Sequence, residues 1–102
     1  MSIVMINKNN FEDEVLKSER PVLLDFFASW CGPCRMLSPI LEKIAAEHPE
    51  YKICKVDVDA EGELAERFEV MSIPSIFVIK NGEVVDATVG ALPEAQILAL
   101  LK

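Results

Sequence analysis

The strongest constraint on the fold is the segment PVLLDFFA, residues 21–28, which is almost continuously apolar. Such a run predicts a strand buried on both faces of a parallel sheet. Beyond the following SWCGPC, the apolar residues keep helical spacing, and Pro39 is expected to kink that helix. These residues are Met36, Leu37, Ile40, Leu41, Ile44 and Ala45. A buried strand that leads directly into a helix indicates an α/β fold.

Four further strands and three further helices are predicted around this unit. The strands are SIVMI (residues 2–6), YKICKVDVD (51–59), SIFVIK (75–80) and EVVDATV (83–89). One helix is predicted in NNFEDEVLKS (9–18), with Asn10 as its N-cap, and another around Leu64, Ala65 and Phe68. The last begins near Pro93 and turns Ile97, Leu100 and Leu101 inward.

Asn81 and Gly82 separate the last two strands and fix their relative direction. An Asn-Gly dipeptide between two strand patterns predicts a type I′ hairpin, so these strands should be antiparallel. The predicted order is βαβαβαββα, a central mixed sheet of five strands flanked by four helices.

The bulk properties predict one ordinary globular domain over residues 1–102. A net charge of −7 argues against nucleic acid or an anionic membrane as a partner. No segment approaches the roughly 18 apolar residues of a membrane helix. The first residues, MSIVMINKNN, lack the basic region and long apolar stretch of a secretory signal. We therefore expect a cytoplasmic protein, and we expect it to be a monomer.

Cys31 and Cys34 have two residues between them and allow three uses: a metal site, a structural bridge or redox chemistry. A zinc site needs four ligands, and the chain adds only Cys54 and His48, neither with a partner at ligand spacing. We therefore expect no metal. A permanent bridge would close too small a loop to restrain the unfolded chain much. Redox chemistry fits best, because the pair falls where a strand ends and a helix begins.

The predicted helix N-terminus distinguishes the two thiols. Unpaired backbone N–H groups there favour a negative sulfur, so the pKa of Cys31 should be lowered. Cys34 should be buried beneath it, which makes Cys31 the attacking thiolate and Cys34 the resolving thiol. Gly32 and Pro33 offer no side-chain proton or charge to a thiolate, and this dipeptide therefore predicts a reductant rather than an oxidant.

The sequence closely resembles the thioredoxin family in DFFASWCGPC, KVDVD, SIPS and KNGEVVDATVGAL, spread over essentially the whole chain. The resemblance implies the thioredoxin fold, a redox-active Cys31–Cys34 disulfide and general protein disulfide reductase activity. It further implies no bound cofactor, with electrons supplied from NADPH through a separate thioredoxin reductase to disulfide-containing target proteins. Arg35 and Ser75 stand where the family often has Lys and Thr.

Asp25 is a carboxylate within an apolar strand, where desolvation should raise its pKa. One interpretation is a buried acid satisfied by Lys55 of the neighbouring strand or by water, without a catalytic role. The resemblance implies the alternative, a proton acceptor that activates Cys34, with Lys55 tuning the site.

The resemblance also implies that Pro74 is cis and packs beside the disulfide. The backbone of Ile73 would then pair with an extended target segment. Trp30 is either a core residue or the cover on one side of the site. In the latter case, an apolar surface for partner proteins is expected. It would consist of Trp30, Gly32, Pro33, Ile73, Gly90 and Ala91.

Two other residues have structural interpretations, and two other functions stand as alternatives. Cys54 is interpreted as a small buried hydrophobe, with a regulatory or dimerising thiol as the alternative, and His48 as a residue that stabilises a helix end. The alternative functions are a disulfide oxidase or isomerase, and a protein-binding or chaperone module that uses the same fold without turnover.

Overall fold

A computed structural model describes residues 3–102 as one five-stranded sheet with helices on both faces. The strands are β1 (Ile3–Met5), β2 (Val22–Phe27), β3 (Lys52–Asp57), β4 (Ser75–Lys80) and β5 (Glu83–Val89). The helices are α1 (Gly32–Glu47), α2 (Gly62–Arg67) and α3 (Glu94–Leu101), and a short π-helix spans Glu12–Leu16. This order confirms the predicted βαβαβαββα arrangement. Ser2, where the first strand was predicted to begin, lies outside the described residues.

The sheet has the strand order β1-β3-β2-β4-β5. Strands β1, β3 and β2 are parallel, whereas β4 is antiparallel to both β2 and β5. The central position of β2 explains why its sequence is apolar on both faces. Asp25 of β2 is in register with Lys55 of β3 and with Ile76 of β4.

Side chains alternate along each strand and so divide the core between the two faces of the sheet. Leu23 and Ile53 pack under α1 and α3, whereas Leu24 and Cys54 pack on the side of the π-helix and α2. Asp25 points to the same face as Leu23 because it is two residues further along β2. The buried carboxylate therefore lies on the face covered by α1.

The hairpin between β4 and β5 confirms the prediction from the Asn-Gly dipeptide. Lys80 pairs with Glu83, which leaves Asn81 and Gly82 as a two-residue loop. Their φ angles are +54° and +79°, and a type I′ turn requires positive φ at both positions.

The first helical segment corrects the prediction of Asn10 as an N-cap. The side-chain oxygen of Asn7 accepts hydrogen bonds from the backbone N–H groups of Asn9, at 2.8 Å, and Asn10, at 3.0 Å. The side-chain amide of Asn10 instead donates to the backbone carbonyl of Met5. The segment is a π-helix, since the N–H of Lys17 bonds to the carbonyl five residues earlier.

Helix α1 runs through Pro39 without ending there. Because proline has no N–H, the carbonyl of Arg35 lacks its usual partner within the helix.

Among residues 3–102, no helix has both the length and the apolar composition to cross a membrane.

Candidate active site

The two cysteines lie at the N-terminus of α1, just beyond the carboxyl end of β2. Cys31 is the N-cap residue, with an extended backbone, and Gly32 and Pro33 open the first helical turn. Cys31 and Cys34 form a disulfide with a Cα–Cα distance of 5.3 Å. The backbone N–H of Cys34 donates to the Sγ atom of Cys31 over 3.2 Å. The Cys31 sulfur thus takes the place of a capping side chain on an N–H that the helix leaves free.

The exposure of the whole residues does not distinguish the two cysteines. Cys31 is 5% exposed and Cys34 is 4% exposed, so Cys34 is not the markedly more hidden residue. Residues far away in the sequence cover both, since Val58 and Ile73 pack against the cluster that the two cysteines form with Ala28. What distinguishes Cys31 is its N-cap position.

The Ile73–Pro74 peptide bond is cis, as predicted. The carbonyl oxygen of Ile73 lies 3.9 Å from the Sγ atom of Cys31, so this backbone segment borders the disulfide. The carbonyl of Pro74 accepts a hydrogen bond of 2.8 Å from the N–H of Gly90. The hydroxyl of Ser75 donates to the carbonyl of Ser72 and closes the same loop.

Trp30 is exposed rather than a core residue, with 66% of its surface accessible. Its indole N–H donates a 2.8 Å hydrogen bond to Asp59, which fixes the ring beside the disulfide. Trp30 and Ile73 both line a groove of about 200 Å³. The remaining lining residues are Val58, Ala65, Val70, Met71 and Ser72.

Asp59 was missed in the sequence, where it was placed at the end of a strand. The alternation of Asp57 and Asp59 at the carboxyl end of β3 was the available signal. Because β3 and β2 are parallel neighbours, the residues after both strands meet at one edge of the sheet. This edge is where Trp30 lies.

The predicted surface residues differ in how closely they surround the disulfide. Gly90 is linked to Pro74 and has a φ of +106°, a conformation that favours glycine. A Cβ at Gly90 would meet no atom within 4 Å, so its surroundings are open. Pro33 and Ala91 are both exposed. Of the predicted surface residues, Ile73 packs against the cluster that the two cysteines form with Ala28, and Pro74 follows it through the cis peptide bond.

Asp25 is completely buried, and neither oxygen of its carboxylate accepts a hydrogen bond from residues 3–102. Burial raises the pKa of this carboxyl from 3.8 to about 7, and the positive charge of Lys55 offsets part of the rise. A carboxyl with a pKa close to neutrality can both accept and release a proton at physiological pH.

Lys55 is not the hydrogen-bonding partner of Asp25 that one interpretation of the sequence suggested. Its ammonium group donates to the hydroxyl of Ser38 on α1 over 3.2 Å. It also lies 4.5 Å from the centroid of the Phe27 ring, within the range of a cation–π interaction. Lys55 therefore acts on Asp25 through its charge alone.

The two remaining candidates have structural surroundings. Cys54 is fully buried, and burial raises its thiol pKa to about 12, as expected of an inert core residue. His48 ends α1, where its Nδ1 atom is 3.1 Å from Glu50 and its ring stacks on Tyr51. Within the described part of the chain, no three His, Cys, Asp or Glu side chains form a group suited to hold a metal ion.

Comparison with known proteins matches residues 2–102 to the family model described as Thioredoxin. A Thioredoxin from Haemophilus influenzae is 46% identical over 96 residues, which cover 93% of this chain and 90% of that protein. Thioredoxin, mitochondrial, from Mus musculus is 48% identical over 94 residues, or 91% of this chain. The chain spans 57% of the length of that mouse relative. A Thioredoxin from Streptomyces clavuligerus is 46% identical over 93 residues, covering 91% of this chain and 87% of that protein.

Proposed function

Since the chain belongs to the thioredoxin family, we propose that it is a general protein disulfide reductase that uses Cys31 and Cys34 as its redox pair. The observation that carries the proposal is the Cys31–Cys34 disulfide at the N-terminus of α1. Two electrons pass from this pair, when it is a dithiol, to a disulfide of a target protein, and the pair becomes the disulfide seen in the structure.

Cys31 attacks first in the proposed reaction. The backbone N–H of Cys34 already points at the Cys31 sulfur, and the positive end of the α1 dipole lies beneath it. Both features stabilise a thiolate. The Cys31 thiolate attacks one sulfur of the target disulfide, which forms a mixed disulfide and releases the other target sulfur as a thiolate.

Asp25 serves the second step as the proton acceptor for Cys34. It lies on the sheet face covered by α1, and its raised pKa leaves the carboxyl able to take up a proton near neutrality. The Cys34 thiolate then attacks the Cys31 sulfur of the mixed disulfide. The second target sulfur leaves and takes up a proton, so the target ends as a dithiol.

The surface beside the disulfide suits a broad range of targets. The Ile73 backbone borders the Cys31 sulfur, and main-chain hydrogen bonds to an extended target would not depend on its sequence. Trp30 and the adjoining groove offer apolar contact, with Gly32, Pro33, Gly90 and Ala91 completing the surface.

The source of electrons and the location of the protein are further parts of the proposal. NADPH supplies electrons through a separate thioredoxin reductase, and the chain itself binds no cofactor. The partners are this reductase and disulfide-containing proteins, while a net charge of −7 disfavours nucleic acid and anionic membranes. The protein acts as a monomer in the cytoplasm, although related chains include mitochondrial thioredoxins.

Reduction of insulin with NADPH and a thioredoxin reductase tests the proposal. We expect continuous turnover that requires the reductase, at the expense of NADPH. A disulfide oxidase or isomerase would instead oxidise or rearrange a reduced substrate faster than it reduced insulin. A binding or chaperone module would suppress aggregation without consuming NADPH. Either of these results would contradict reductase activity as the function.

A further inference from the structure

Ser38 of α1 holds a position that has no part in the proposed reaction. It lies four residues after Cys34, one helical turn further along α1 and on the same side of the helix. Its hydroxyl accepts a 3.2 Å hydrogen bond from the Lys55 ammonium. Lys55 in turn is the register partner of Asp25 on the neighbouring parallel strand. The cation nearest in register to the buried acid is thus bound to a different side chain.

We propose that Ser38 is a positioning residue for disulfide reduction: its hydroxyl holds the Lys55 ammonium and so leaves the Asp25 carboxyl without a cationic partner. The proposal rests on the assignment of Asp25 as the proton acceptor of the reductase.

Two contacts, and one that is missing, define where the Lys55 ammonium lies. It donates to Ser38, it lies 4.5 Å from the centroid of the Phe27 ring, and it makes no hydrogen bond to Asp25. Neither Asp25 oxygen has a hydrogen-bonding partner among residues 3–102. The carboxylate is therefore the strongest unoccupied acceptor that Lys55 could reach if Ser38 lost its hydroxyl, because a buried anion gains most from a charged donor.

The neighbouring elements provide no alternative cation for Asp25 among the described residues. Strand β4 presents Ile76 in register with it. Helix α1 carries Arg35, but this guanidinium is exposed and donates to the carbonyl of Ser29. Strand β3 adds the acid Asp57 two residues beyond Lys55. The pKa of Asp25 is therefore raised by burial and lowered by the charge of Lys55, and burial has the larger effect.

The position of Lys55 affects how well Asp25 can act as a base. An opposite charge in contact with a carboxylate typically lowers its pKa by about 1–3 units. A Lys55–Asp25 ion pair would thus make Asp25 a weaker proton acceptor for Cys34 near neutral pH. By binding Lys55, Ser38 keeps the pKa of Asp25 close to the pH at which this acid accepts a proton.

Ser38→Ala and Ser38→Thr form a matched pair for the test, since threonine keeps the hydroxyl and alanine removes it. The side-chain carboxyl of Asp25 is titrated by carbon-13 NMR in the oxidised protein, where Cys31 and Cys34 cannot titrate. We expect its pKa to fall by about one unit or more in Ser38→Ala and to stay at the wild-type value in Ser38→Thr. An unchanged or raised value in Ser38→Ala, or an equal fall in both variants, would overturn the proposal.

A Lys55→Met background separates action through Lys55 from any other effect of Ser38. In that background Ser38→Ala should leave the titration of Asp25 unchanged, and a persisting shift would contradict the proposal. The pH profile of reduction should move to lower pH in Ser38→Ala alone, with rescue in Ser38→Thr. Because the titration needs no turnover, it tests the role of Ser38 even if insulin reduction fails and the proposed function is wrong.

Discussion

Asp25 and Lys55 are paired in register on adjacent parallel strands, yet no hydrogen bond joins their side chains. A buried carboxylate with a lysine opposite would ordinarily form an ion pair, and its pKa would be low. Here the lysine binds Ser38, and burial dominates, so the pKa of Asp25 rises to about 7. The protein thereby keeps a titratable acid in its core.

Replacing Asp25 with asparagine should stabilise the protein above neutral pH. The folded state holds the proton more tightly than the unfolded state, because the pKa is about 7 in the former and near 3.8 in the latter. The contribution of Asp25 to stability is therefore full below pH 3.8 and is lost as pH rises towards 7. An asparagine side chain cannot ionise and would escape this loss, which amounts to at most about 4 kcal/mol.

Denaturant unfolding of the oxidised protein at about pH 4 and pH 8.5 measures this difference. Glu66→Gln, which removes one exposed negative charge from α2, is the control and should shift stability little at either pH. If Asp25→Asn gained no stability at the higher pH, the carboxylate would be well solvated or paired in solution.

The same substitution should slow the release of the reduced target. Asparagine cannot take the proton from Cys34, so general-base catalysis worth about 10²-fold would be lost at that step. Rapid-mixing kinetics with a disulfide substrate should show a normal first phase and a slowed second phase. An unchanged second phase would mean that Asp25 is not the base.

Asp59→Asn tests how Trp30 is held. The indole N–H donates a 2.8 Å hydrogen bond to the charged Asp59 carboxylate, and the substitution replaces this acceptor with a neutral amide oxygen. The hydrogen bond should therefore weaken and the Trp30 ring should become more mobile. We expect KM for a protein disulfide to rise about threefold, corresponding to a hydrogen-bond contribution of about 0.6 kcal/mol. Reduction of a small aromatic disulfide, which covers less of the surface, should change less. Equal effects on both substrates would contradict a role in target binding.

Gly90→Ala should destabilise the loop beside Pro74 through its backbone alone. A Cβ there meets nothing within 4 Å, but the φ of +106° is one that other residues rarely adopt. The expected cost is about 1–2 kcal/mol. Gly62→Ala is a matched control in α2, with equally open surroundings and no positive φ, and should be neutral or stabilising by up to about 1 kcal/mol. Similar effects of both substitutions on the urea midpoint would refute this.

The elements predicted correctly are those that local patterns determine. The apolar run of β2 and the Asn81-Gly82 dipeptide carry their structural information within a few residues, and both predictions are confirmed. The first helix shows the limit of such patterns. Asn10 was predicted as an N-cap, but no side chain caps this helix, and the side chain of Asn7 instead accepts from the N–H groups of Asn9 and Asn10 in the turn before it.

The parts of the site that were not predicted depend on contacts between distant segments. Trp30 and Asp59 are 29 residues apart, and Lys55 and Ser38 are 17 apart. The strand pattern predicted that Lys55 would lie beside Asp25, and the register agrees. Which acceptor the flexible lysine side chain binds is decided by the helix packed above it, and periodicity contains no such information.

Trapping of the mixed disulfide is the most direct test of the central claim that Cys31 at the N-cap of α1 attacks and Cys34 resolves. Cys31→Ser and Cys34→Ser variants are reduced, mixed with a disulfide-containing protein and analysed by mass spectrometry after digestion. Buried Cys54 should stay unmodified in both and serve as the internal control. The account predicts an adduct on Cys31 in Cys34→Ser and none in Cys31→Ser. An adduct on Cys34 of Cys31→Ser, with none in Cys34→Ser, would contradict it.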